Sequence, residues 1–337
     1  MSQTMSGVVV NPNVLTSIVS GLFGQSLDGP LDADRLINIP AFNPRPLVNN
    51  TYQMLTDESW KGLDFQTAPT QLEEISAASP VNIPLNLKFG SVDGRVKRYQ
   101  VAKMLIPDDE RSLYGANDID ISNEVGKRVV AKAKAMLAYL VSQTLSTSSN
   151  FTYNASLAEI TQSYAFLQNV IYTPAKTMTR AQRWAKGVPL GTYVSTALVP
   201  KIMANNDVRA AIPLGGAGNE FKLSIPNDAA LGALFKNYMA SDAQEIVSSY
   251  LATDGTPTDM LSGVIAHVRT GSPEDSFMQW IVPQTRNSGS NPADGMINIW
   301  SARSDQDGVR GEVFFADIVT SLAVSAPGNG YLCYNLS

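Results

Sequence analysis

The stretch Ser122-Asn123-Glu124-Val125-Gly126-Lys127-Arg128-Val129-Val130-Ala131-Lys132-Ala133-Lys134-Ala135-Met136-Leu137-Ala138-Tyr139-Leu140-Val141-Ser142-Gln143-Thr144-Leu145 carries an apolar stripe at steps of three and four. Val125, Val129, Ala133, Met136, Leu137, Leu140, Val141 and Thr144 make up that stripe, and the period is that of one face of an α-helix. Asp118, Asp120 and Glu124 stand at its start, where carboxylates oppose the positive end of the helix dipole. At about 1.5 Å per residue, a helix over 122–145 spans roughly 35 Å, about twice an average globular helix. The spacing predicts a structural beam.

Upstream of the beam, Pro107 stops a strand, and Asp108-Asp109-Glu110-Arg111 leads through Gly115 and Asn117 into the helix. Before that, Val81, Ile83, Leu85, Leu87 and Phe89 alternate with their neighbours, the pattern of a strand with one covered face. Gly90-Ser91-Val92-Asp93-Gly94 reads as a turn, and the run Arg95 to Ile106, with Val96, Tyr99, Val101, Met104 and Leu105, reads as its return. Pro80 and Pro84 make the first strand of this long hairpin an edge or irregular strand. A two-stranded ribbon is marginal in water, so its stability should come from surfaces beyond itself.

From Met1 to about Asn50, aliphatic residues such as Val8, Val9, Val10, Leu15, Ile18 and Leu36 are interrupted by Pro12, Gly21, Gly24, Pro30, Pro40, Pro44 and Pro46. This is the pattern of an extended arm with too many breakers for a core element and too many aliphatics for a free tail. The expectation is that the first hundred or so residues become ordered only against other copies of the chain.

Downstream, Leu157 to Val170 suggests a short segment, and Lys176 to Gly191, with Trp184 and Pro189, suggests a boundary. Ser195 to Ile212 reads as a helix broken at Asn205, Asn206 and Asp207, and Asp228 to Ala240 reads as another helix. Strands follow at Glu245–Leu251, Val264–Arg269, Phe277–Val282, Ile297–Ala302, Val313–Val324 and Tyr331–Leu336. Helices and strands mix without the rhythm of a doubly wound sheet, so the class is α+β.

At 337 residues the chain exceeds the ~250–300 at which single cores stop growing, so two core-bearing regions are expected. Charged residues are 16% of the chain, against ~25% in ordinary soluble domains, which suits a surface covered by neighbours. The net charge is −5 and lysines and arginines do not cluster. Sustained electrostatic grip on a phosphate backbone is therefore not supported. Cys333 is the single cysteine, which excludes an internal disulfide framework and a thiolate zinc site built by one chain. The start Met1-Ser2-Gln3-Thr4-Met5-Ser6 lacks the features of a signal peptide, and no run of about 18 apolar residues occurs, so synthesis in the cytosol is expected.

The sequence offers little catalytic chemistry. His267, the one histidine, sits in the strand pattern Val264-Ile265-Ala266-His267-Val268 and reads as structural. Gly215-Gly216-Ala217-Gly218 lacks the lysine or preceding strand of a nucleotide-binding loop. Asp108, Asp109 and Glu110 form the one tight acidic cluster, which could ligate a divalent cation but reads first as a solvated run that suits the helix dipole. Arg95, Lys97 and Arg98 form a small basic group near the expected hairpin tip, and they are candidates to meet Asp108, Asp109 and Glu110 of an adjacent copy. No catalytic, cofactor or metal residue is predicted.

The order arm, hairpin, turn, long helix, mixed region and closing strand resembles the major capsid protein family of tailed double-stranded DNA bacteriophages. Tyr99-Gln100-Val101-Ala102-Lys103-Met104-Leu105-Ile106-Pro107-Asp108-Asp109-Glu110-Arg111 is similar to the family's strand end, and Asn117-Asp118-Ile119-Asp120-Ile121 leads into the helix as in family members. Val194-Ser195-Thr196-Ala197-Leu198-Val199 through Asn205-Asn206-Asp207-Val208-Arg209, and the closing Gly330-Tyr331-Leu332, also resemble family motifs. The resemblance implies a Hong Kong 97-like capsid fold. Its parts would be an N-terminal arm (1–50), an E-loop (51–106), a peripheral domain (107–190 and 306–325) with spine helix 122–145, and an axial domain (191–305 and 326–337).

That fold implies a non-enzymatic shell subunit of a virion, made in the host bacterial cytoplasm. It would assemble into pentamers and hexamers around packaged double-stranded DNA that it does not read. Portal, scaffolding and decoration proteins are the implied partners, with no membrane contact and no cofactor. An encapsulin-type nanocompartment shell shares the fold, and a helix in place of the arm would favour it. A metal-dependent soluble enzyme using the acidic cluster is the remote alternative.

Overall fold

The structure, a computed structural model, describes residues 33–47, 50–57, 89–110, 121–157, 167–182, 190–205, 208, 242–247, 249–251, 254–271, 273, 276–283, 296–306 and 309–336. It begins with a short helix, α1 (Ala33–Ile37), and the strands β1 (Ala41–Arg45), β2 (Thr51–Asp57), β3 (Phe89–Arg95) and β4 (Lys97–Pro107). The long helix α2 follows over Ile121–Ser146, 26 residues or about 39 Å of axial rise. Next come β5 (Tyr153–Ser156), a π-helical turn at Leu167–Tyr172 that runs into α3 (Thr173–Gln182), β6 (Leu190–Ser195) and α4 (Val199–Ala204). The remaining strands are β7 (Asp242–Ile246), β8 (Ser249–Leu251), β9 (Pro257–Asp259), β10 (Ile265–Arg269), β11 (Met278–Pro283), β12 (Ile297–Gln306), β13 (Val309–Val324) and β14 (Gly330–Tyr334).

Two five-stranded sheets organise these elements. One has the order β1-β11-β13-β12, with β4 also paired to β13, and the other has the order β5-β14-β10-β6-β7. The pairs β2–β3 and β8–β9 stand apart as two-stranded sheets. The strands of the segment 191–305 are thus divided between the two large sheets: β11 and β12 pair with β13, whereas β6, β7 and β10 share a sheet with β14 and β5.

Helix α2 lies over the first sheet, and its buried face is rotated from the expected stripe. Val125, Val129, Val130, Ala133, Leu137, Ala138, Val141 and Leu145 are buried, whereas Met136, Leu140 and Thr144 are only half-buried. The buried side packs into one core with Phe314, Ala316 and Ile318 of β13 and with Leu36, Ile37 and Trp280. Periodicity fixes that a helix has an apolar face. What packs on it fixes where the face is centred.

Three expectations require correction. Residues 33–47 dock on the chain's own body: Leu36 and Ile37 are buried, Trp280 Nε1 donates to the Ile37 carbonyl at 2.9 Å, and β1 pairs in parallel with β11. Here Pro40, Pro44 and Pro46 do not keep the arm out of the core, because β1 is an edge strand and an edge tolerates proline. Ordering of the first hundred residues solely against other copies is therefore overturned for 33–57 and 89–107. The hairpin is also paired differently, since 89–95 is a strand against Thr51–Asp57 and the run 97–107 pairs with β13. Val81 to Lys88 lies outside the described residues, as do Asp228–Ala240 and most of residues 1–32.

The third correction concerns Ser195 to Ile212. Ser195 ends β6, and the helix begins only after the 3-10 turn Thr196–Leu198, with Pro200 in its first turn, where a missing N–H costs nothing. The break at Asn205 is found as expected, because its Oδ1 accepts from the Val208 N–H at 3.2 Å and ends the helix.

Candidate assembly surface

β4, β13 and β12 lie side by side with β13 in the middle, and their antiparallel registers decide which side chains share a face. Phe314, Ala316 and Ile318 face α2. Alternation then places Phe315 on the opposite face, beside Trp300 of β12 and Lys103 of β4, its partners in register. Trp300 and Phe315 stack with centroids 5.4 Å apart at 12°. The Arg98 guanidinium sits 4.7 Å from the Trp300 ring centre and Lys103 Nζ 6.0 Å from that of Phe315. Leu105, on the same face, is 41% exposed. The result is an aromatic pair flanked by two cations on a partly open sheet face.

The basic group predicted at a hairpin tip lies instead where the chain crosses from β3 to β4. Arg95 ends β3 opposite Thr51, Val96 is buried, and Lys97 opens β4 opposite Thr320. Arg98 forms an ion pair with Asp317, whose side chain is nearly fully covered while that of Arg98 is mostly open. Arg98 is thus committed within its own chain, and Arg95 and Lys97 remain exposed.

Asp108, Asp109 and Glu110 follow the far end of β4 in helical backbone, with Asp109 and Glu110 exposed. About ten residues of strand, roughly 33 Å, separate them from the basic group. The two groups therefore occupy opposite ends of one strand and do not meet within the chain. Among the described residues no group of three or more His, Cys, Asp or Glu side chains is placed to hold a metal.

On the other side of the ribbon, the half-buried flank of α2 forms a cavity of about 510 Å³ with β4, β13 and the β8–β9 region. Tyr99, Met136, Tyr139, Leu140, Tyr250 and Ile318 line it. Tyr139 and Tyr250 meet edge to face at 5.4 Å, and Tyr139 is 40% exposed. Burial pushes the Tyr99 phenol above its ordinary pKa.

In the second sheet His267 is fully buried on the central strand β10, with Thr192 Oγ1 2.9 Å from its Nδ1. Burial outweighs a backbone hydrogen bond with Val170 and lowers the imidazole pKa to about 3, so the ring is neutral at pH 7. Burial also pushes the nearby Cys333 thiol up to about 12. A neutral, enclosed histidine and a thiol that stays protonated are structural groups. Among the described residues, no helix is long and apolar enough to cross a membrane.

Trp300, Phe315 and Lys103 were not singled out by the sequence reading. Their signal was Asp307-Gly308, the two residues between Gln306 and Val309, which pair in register. An Asp-Gly pair between alternating runs marks a tight hairpin.

No protein-family model matches the chain, and no curated protein matches it. Solved structures do. A phage-related protein from Bordetella bronchiseptica superposes at TM-score 0.61 over 97% of this chain and 97% of its own, with 13% identity. The capsid of cyanophage P-SCSP1u matches at TM-score 0.55 and 9% identity, covering 89% of this chain and 87% of that one. The chain has the Hong Kong 97-like capsid fold. The SrpI encapsulin of Synechococcus elongatus matches at TM-score 0.53 and 8% identity over 93% of this chain and 90% of its own. At such identities the capsid fold is what the likeness establishes. Within that fold, α2 corresponds to the long helix expected as its spine.

Proposed function

We propose that the chain is the major capsid protein of a tailed double-stranded DNA bacteriophage, a shell subunit that assembles into pentamers and hexamers of an icosahedral head and catalyses nothing. The observation that carries this reading is end-to-end similarity to phage-derived shells, 97% of both chains in the Bordetella case. The buried His267 and the protonated Cys333 thiol add support, since neither is poised for chemistry. In this reading the protein is made in the host cytoplasm and resides in the virion. It encloses packaged DNA without reading it, and it meets portal, scaffolding and, where present, decoration proteins.

Arg95 and Lys97 of one copy would face Asp108, Asp109 and Glu110 of the next. Opposite charge at opposite ends of one strand suits a head-to-tail contact, which closes into rings. Exposed ion pairs contribute only ~0–1 kcal/mol each, so the apolar parts of the interface carry the affinity and the charges set the register.

The encapsulin-type shell is the second reading, favoured by the SrpI likeness. Helix α1 is only five residues long and is followed at once by Pro40, Pro44 and Pro46, which keeps the broken arm of the phage reading in place. Electron microscopy of purified full-length protein should show closed shells with five- and six-fold capsomers. A discrete monomer or dimer would overturn both shell readings. Particles from the native source that hold double-stranded DNA support the phage head, and particles filled with an enzyme support the nanocompartment.

A further inference from the structure

Two consecutive side chains of α1 bind two different bodies. Asp34 Oδ1 lies 2.7 Å from Lys134 Nζ, and that ammonium sits on the buried side of α2 with a side chain only 6% exposed. The Arg35 guanidinium points elsewhere and donates from Nη1 to the Glu245 carbonyl at 3.2 Å. Glu245 belongs to β7, the edge strand of the second sheet, whose other side pairs with β6. Between these anchors Leu36 and Ile37 enter the core and the Ile37 carbonyl accepts from Trp280.

A helix of five residues is not stable by itself, so α1 exists because of what it is fastened to. Lys134 is the one cation on a stripe otherwise made of Val130, Ala133, Leu137, Ala138 and Val141. Its charge is tolerated there because Asp34 compensates it. The Arg35 contact sits on the rim of an edge strand, which it also shields from pairing with another chain. If the second sheet turned relative to α2, these two polar contacts would break before either sheet lost a strand.

We propose that α1 is a two-point clasp, fastened to the spine helix through Asp34 and Lys134 and to the edge of the second sheet through Arg35 and the Glu245 carbonyl. It holds the two bodies in one mutual orientation and frees them when either contact breaks. The clasp does not depend on what the shell encloses.

Amide hydrogen exchange on the full-length chain tests it. Asp34→Asn and Arg35→Met should each raise exchange over residues 33–39 by about tenfold, with residues 242–247 following in Arg35→Met, while β6 and β10 stay within about twofold of the parent. Lys134→Met should match Asp34→Asn, and the double variant should add nothing further, because both remove one pair. Exchange over 33–39 unchanged in either single variant overturns the clasp. So does a rise shared equally by β6 and β10, which marks ordinary loss of global stability, or strictly additive effects of Asp34→Asn and Lys134→Met.

Discussion

The ring of Tyr52 covers Gly94, its partner in register across the β2–β3 pair, and its hydroxyl lies 3.1 Å from Ser321 Oγ on β13. A Cβ at position 94 would stand 2.3 Å from the ring. The glycine that reads in sequence as part of a turn is therefore a close-approach site within a strand. Tyr52, Met54 and Val96 then form a small core with Ile281 and Ala323 that ties the ribbon to the chain's own body.

Gly94→Ala should displace the Tyr52 ring and cost about 1–3 kcal/mol by urea unfolding, the range for an overpacked site. Combining it with Tyr52→Ala should cost less than the sum of the two single changes, since the clash disappears with the ring. Strict additivity would show that Gly94 does not need the ring's space.

The rotation of the buried face of α2 gives a paired prediction. Leu137→Ala empties a fully buried position and should cost about 3 kcal/mol, whereas Met136→Ala, on the cavity side, should cost no more than about 1.5 kcal/mol. Equal losses in denaturant midpoint would contradict the rotation.

Arg98→Ala leaves the carboxylate of Asp317, 3% exposed, without its guanidinium. The expected loss is about 1–3 kcal/mol. Arg95→Glu with Lys97→Glu should leave the unfolding midpoint of the unassembled chain in place and reduce the yield of closed particles. Unchanged yield and particle stability in that double variant would remove the proposed charge contact between copies.

The imidazole of His267 supplies a pH dependence. Its folded pKa, about 3, lies below the ordinary 6.5, so the folded state holds the ring neutral while the unfolded chain protonates it. Stability from this group is complete above pH 6.5 and declines as pH falls from there toward 3. His267→Asn, which retains a partner for Thr192 and cannot be protonated, should have a shallower stability curve across that window. The difference in slope should reach up to about 1.4 kcal/mol per pH unit. Parallel curves for the two proteins would refute the assignment.

Much of this architecture could be read from local pattern. The long helix, the strands near 265–269, 278–283, 297–306, 309–324 and 330–334, and the break at Asn205 follow from periodicity and from side chains that bond their own backbone. β1, β5 and β6 were not legible. β1 carries Pro44, and β6 is buried along its whole length, so neither shows alternation. Of the candidate surface, Arg95, Lys97 and the acidic cluster were named from composition, whereas the Trp300–Phe315 stack arises from register, which no single segment contains.

Sequence alone determined which stretches are helix or extended, because each residue's backbone preference and the spacing of apolar side chains act within a few positions. It also determined that the chain lacks the clustered histidines, cysteines and basic runs that metal or nucleic-acid chemistry needs. Tertiary structure decided which strand pairs with which, which side of the spine helix is covered, and that α1 folds back onto its own chain. Those outcomes depend on contacts between residues tens to hundreds of positions apart, as between Asp34 and Lys134 or Tyr52 and Ser321. Such contacts are settled by competition among surfaces rather than by any local rule.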